Sequence, residues 1–77
     1  MTTRATDVLI HTRKPLTDEQ FGEVSRQVQE LDGVVTFNRH TRFPNYIVVA
    51  YQASQIRALA ILNKITRLGF NASLVGI

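Results

Sequence analysis

From Asp7 to Arg13 the chain packs β-branched and aliphatic residues closely, Asp7-Val8-Leu9-Ile10-His11-Thr12-Arg13, and Lys14-Pro15 then halts any ladder. That block predicts a strand. Leu16-Thr17-Asp18-Glu19-Gln20-Phe21 follows, with Thr17 as N-cap, Gln20 three residues on to close a capping box, and Leu16 and Phe21 as a hydrophobic staple. Phe21, Val24, Val28 and Leu31 recur every three or four residues, which predicts a helix with one apolar stripe, ended by Asp32-Gly33. Val34 to His40 predicts a second strand, Thr41 to Asn45 a turn around Pro44, and Tyr46-Ile47-Val48-Val49-Ala50-Tyr51 a third strand. Ser54 is the expected cap of a second helix, where Ala58, Ile61, Leu62, Ile65 and Leu68 share a face. Gly69 closes that helix, and Asn71 to Ile77 predicts the last strand.

The order is βαββαβ over a single domain, residues 1–77, with no linker and no low-complexity segment. It predicts an α+β, ferredoxin-like sandwich: a four-stranded antiparallel sheet with two helices on one face, in the spatial order fourth, first, third, second strand. The period of two then assigns the faces. Val8, Ile10, Val35, Phe37, Ile47, Val49, Tyr51, Ala72 and Leu74 are expected under the helices. Leu9, His11, Thr36, Asn38, His40, Tyr46, Val48, Ser73, Val75 and Ile77 are expected on the open face.

Composition narrows the function more than it extends it. A hydrophobic share of 44% against 19% charged is that of a globular domain, and the lack of cysteine means packing alone must hold it. The longest apolar run, Tyr46 to Tyr51, falls far short of the roughly 20 residues that span a bilayer. Met1 to Asp7 lacks the apolar core of a signal peptide, so a cytoplasmic location is expected. The net charge of +3 lies within the ordinary range for a small soluble domain. Its cations Arg13, Lys14, Arg39 and Arg42 are candidate contacts for a nucleic-acid backbone, with scattered solvated charge as the plainer reading.

The stretch from Phe21 to Val34, with its apolar spacing leading into Glu30-Leu31-Asp32-Gly33-Val34, resembles the heavy-metal-associated domains. These are copper and mercury chaperones and the N-terminal modules of metal-pumping ATPases. Gly69-Phe70-Asn71-Ala72 is similar to that family's entry into its last strand. The resemblance covers almost the whole chain and rests on packing and turn positions, which bear on fold rather than chemistry. Counting back from Gly33, it places the family's two metal-binding cysteines at Thr17 and Gln20, and Lys14-Pro15-Leu16 departs from the family's lead into them. A cuprous ion needs thiolates, which neither a hydroxyl nor an amide replaces. The chain is therefore expected to be a degenerate member without the metal, and no cofactor is expected.

Other chemistry is thin. No phosphate loop, carboxylate pair or Ser–His spacing suggests an enzyme. His11 and His40 belong to strands separated by a third, about 9–10 Å apart at the backbone, without the further ligands zinc wants. What remains is the open face, where Leu9, His11, Tyr46, Val48, Val75 and Ile77 form the candidate interaction surface. The leading expectation is a protein-interaction module, most simply a homodimer joined face to face or edge to edge. RNA binding on the same face is the alternative. A third reading, implied by the resemblance, is an accessory role in metal homeostasis, docking on a transporter or chaperone through Arg13, Lys14 and Gln20.

Overall fold

A computed structural model describes residues 5–75 of the chain. Six elements appear in the expected order: β1 (Thr6–Thr12), α1 (Asp18–Gln29), β2 (Val34–Arg39), β3 (Tyr46–Tyr51), α2 (Ala58–Arg67) and β4 (Ala72–Val75). The sheet is antiparallel in the order β2-β3-β1-β4. Val8, Ile10, Phe37, Ile47, Val49 and Tyr51 share one core with Val24 and Val28 of α1 and Ile61 and Ile65 of α2. Both helices therefore cover the same face, and among the described residues no element covers the other.

Two expectations fail for local reasons. Val35 does not lie under the helices. Val34 pairs with Tyr51 and Thr36 with Ala50, so Val35 is the extra residue of a β-bulge. It is 47% exposed, and Val34 packs against the core in its place. Ser54 does not cap α2 either. The Gln52 carbonyl accepts hydrogen bonds from the Gln55 and Ile56 N–H groups at 2.9 and 3.0 Å, which adds a turn before the helix. Helix α2 then starts after Arg57, whose side chain makes no capping bond.

Both glycines take the positive φ expected of them, but only Gly69 is a helix stop. Gly69 (φ 99°) follows the C-cap Leu68; its N–H reaches the Thr66 carbonyl at 3.0 Å and that of Phe70 reaches Ile65 at 3.5 Å. This is a Schellman closure. Gly33 (φ 98°) comes later than a helix C′ position, since α1 ends with its C-cap at Glu30. Its carbonyl accepts the Gln52 N–H at 2.7 Å, tying the entry of β2 to the exit of β3.

Candidate functional site

The loop between β1 and α1 is closed by its own hydrogen bonds. Thr17 Oγ1 accepts the Gln20 N–H at 3.1 Å, and the Thr17 N–H donates to Gln20 Oε1 at 3.0 Å, the reciprocal capping box. Arg39, at the end of β2, reinforces it. Its guanidinium donates to the Leu16 and Thr17 carbonyls at 3.0 and 3.3 Å and to Asp18 Oδ1 at 3.0 Å, and lies 4.6 Å from the Phe21 ring centroid. The Arg39 side chain is only 28% exposed and is committed to this loop rather than presented to a ligand. Asp18 is fully exposed, so the carbonyl bonds and the stacking on Phe21 carry more of the interaction than the ion pair.

The donor set at this loop does not suit a soft metal ion. Thr17 and Gln20 offer a hydroxyl and an amide, both already engaged with backbone partners. Among the described residues no three or more His, Asp or Glu side chains gather where they could share an ion.

The open face is laid out in rows across the strands. Asp7 and Ala50 form one row with Thr36. Asn38, Val48, Leu9 and Val75 form the next. His11 pairs with Tyr46 and Ser73, and the His40 N–H bonds to the Tyr46 carbonyl at 2.8 Å, which completes a third row beside the β1–α1 loop. Leu9, His11, Tyr46, Val48 and Val75 are each half-buried within the chain. They share one face of the sheet; Ile77, the remaining residue of the candidate surface, lies outside the described residues. An open groove of about 460 Å³ runs by Asp7, Leu9, Val48 and Val75, at the end of the sheet away from the loop.

The third row contains more than its pairing pattern suggests. Tyr46 stands between the two imidazoles, 5.1 Å from the His11 ring and 6.4 Å from that of His40. Phe43, from the β2–β3 turn, joins them at 5.3 Å from His40 and 6.0 Å from Tyr46. His40 Nδ1 accepts the Arg42 and Phe43 N–H groups at 3.0 and 3.1 Å, which folds the turn back over the row. Asn45 anchors the same turn by donating its amide to the Thr12 and Arg13 carbonyls at 3.1 and 3.3 Å. Sequence periodicity has no means of placing Phe43 here, because a turn rather than a strand carries it. Arg13, Lys14 and Arg42 are exposed at this end, and among the described residues none of them is in an ion pair.

No family model matches the chain, and no curated protein does. Solved structures do. Oxidized MerP from Ralstonia metallidurans CH34 superposes with a TM-score of 0.80 at 11% identity, over 94% of this chain and 99% of that one. The N-terminal domain of a potential copper-translocating P-type ATPase from Bacillus subtilis, in its Cu(I)-loaded state, gives 0.82 at 11% identity, over 94% and 89%. The CsoZ metallochaperone gives 0.73 at 19% identity, over 94% and 99%. At such identities the likeness speaks for the fold alone. The chain has the ferredoxin-like fold of these domains, and its sequence contains no cysteine.

Proposed function

We propose that the chain is a small non-catalytic interaction module of the cytoplasm, in which the loop that would grip a metal has become purely structural and the work passes to protein contact. The observation that carries this reading is the pair of opposite fates on one scaffold. The loop's polar groups are spent on capping α1 and on Arg39, whereas Leu9, Val48 and Val75 border an uncovered groove. Full burial of an exposed side chain of this kind is worth about 1.5–3 kcal/mol, and these half-buried ones have only part of that left to gain, so association needs several covered together. The simplest occupant is a second copy of the chain, because a face of this kind can meet itself about a two-fold axis.

An open groove of about 560 Å³ supports the non-catalytic part. It lies at the start of α2, and Arg57 is the charged residue among those lining it, without a carboxylate or histidine to serve as acid or base. Docking on a transporter or chaperone of metal homeostasis remains a variant of the same reading, with Arg13 and Lys14 at the loop edge as its contacts.

Light scattering combined with titration of cuprous and zinc ions tests the proposal. The expected result is a mass about twice the 8.7 kDa of one chain, unchanged by either ion. Val48→Asp should return the protein to monomers. A wild-type monomer, or a dimer that survives Val48→Asp unaltered, removes the open face as the interface. Tight binding of either ion overturns the structural reading of the loop.

A further inference from the structure

The ring row at the loop end of the open face carries an inference that goes beyond protein contact and does not rest on it. Four rings, His11, Tyr46, His40 and Phe43, form a chain of neighbours with centroids 5.1–6.4 Å apart. Three are half-buried, and Phe43 is 52% exposed. A core cluster would hide such rings, and this one lies on the face without helices. Among the described residues, neither the Tyr46 hydroxyl nor Nε2 of His40 has a hydrogen-bond partner, so edge groups as well as ring faces are available there.

Charge points the same way. The row itself, His40–Tyr46–His11–Ser73, contains no carboxylate, and Asp7 sits two rows off at the opposite end. Arg42 is held against His40 by its backbone N–H. Arg13 follows His11 by two residues, its N–H bonded to the Asn71 carbonyl at 3.0 Å, and Lys14 comes next. An open groove of about 430 Å³ lies past the end of β1, lined by Thr12, Arg13, Lys14, Leu16, Phe70 and Asn71; none of the four rings borders it, so Arg13 and Lys14 are what it shares with this end of the sheet. Aromatic faces on a sheet, flanked by unpaired cations, match what an unpaired nucleotide strand presents: flat bases to stack and phosphates to neutralise.

We propose that this end of the open face binds single-stranded nucleic acid, with bases stacking on Phe43, Tyr46 and His11 and phosphates meeting Arg13, Lys14 and Arg42. The groove beside Asp7 and Val75, at the other end, is left to protein contact.

Fluorescence anisotropy on the full chain tests it with three labelled strands: oligo-U, oligo-dT, and an abasic strand with the same number of phosphates. A length of about 15 nucleotides spans any site a domain this small can offer. The abasic strand separates stacking from mere attraction between a basic protein and a polyanion. Both base-bearing strands are expected to bind at least about tenfold tighter than the abasic one. Neutralising three cations predicts a log–log salt slope of about −2 for a single strand. Phe43→Ala, at an exposed turn position, should weaken binding about tenfold while leaving the melting temperature in place. Arg42→Glu should weaken it and flatten the salt slope.

The chain's two tyrosines give an independent readout. Tyr51 is buried in the core, so in Tyr51→Phe the fluorescence comes from Tyr46 alone and should be quenched as oligo-dT saturates. Equal affinity for the abasic strand, or indifference to Phe43→Ala, overturns the stacking site. So does absence of binding to all three strands; if the protein's mass also doubles with concentration, the row belongs to a second copy of the chain instead.

Discussion

Three glycines place opposite demands on a side chain. Gly22 lies in the second turn of α1, exposed, with nothing within 4 Å of where a Cβ would stand. Its backbone freedom only raises the entropy lost on folding, so Gly22→Ala should stabilise the protein by about 0.5–1 kcal/mol. Gly33 has φ 98°, and a Cβ there would come within 2.9 Å of Gln55 Cβ and Ile56 Cγ2. Gly33→Ala should therefore cost about 1–3 kcal/mol, more than Gly69→Ala, where φ is equally positive and the space is empty. Urea unfolding of the three variants checks the ranking, and a Gly33→Ala midpoint equal to wild type would refute it. Both positive-φ glycines are legible in the chain, because Gly69 directly follows a helical apolar repeat and Gly33 comes two residues after one. The crowding that distinguishes them is not, since Ile56 meets Gly33 only once α2 has docked.

At the scale of elements, the start of α1 is where local grammar and tertiary structure agree. The box of Thr17 and Gln20 can be read from four residues, and its loss in Thr17→Ala should cost about 0.5–2 kcal/mol. Arg39 is a different matter. Read from the chain, it is one more cation at a strand end. In the fold its fork spans from β2 to two carbonyls of the loop, a reach of 22 to 23 residues that no periodicity encodes. A lysine cannot reproduce that fork, so Arg39→Lys should loosen the first turn of α1 despite keeping the charge. Amide exchange should report it as about tenfold faster exchange near Phe21, with β3 unaffected; uniform acceleration across the chain would point to global destabilisation instead. The second helix shows the reverse failure. Ser54 has the right chemistry for a cap, but the turn closed on the Gln52 carbonyl uses up the residues between it and the helix.

For the whole molecule, strand order, helix placement and the core were legible because the apolar residues are concentrated where the periods of two and 3.6 put them. Val8, Ile10, Phe37, Ile47 and Val49 all fall on the helix-covered face as their alternation requires. The ring row was legible only in part, since His11, His40 and Tyr46 follow the alternation and Phe43 arrives by way of a turn. A small fold with one thin core is modestly stable on its own, so the proposed association should register in its melting. The midpoint is expected to rise with protein concentration and to stay put when copper is added; a midpoint indifferent to concentration argues against the dimer. The bulge at Val35 bears on how far such assembly can go. Strands β2 and β4 are the two rims of the sheet, and a molecule with two pairable rims can add copies end on end into a ribbon without limit. By breaking the regular spacing of donors and acceptors along one rim, a single surplus valine denies any further copy a straight template there, which disfavours edge-to-edge growth from β2.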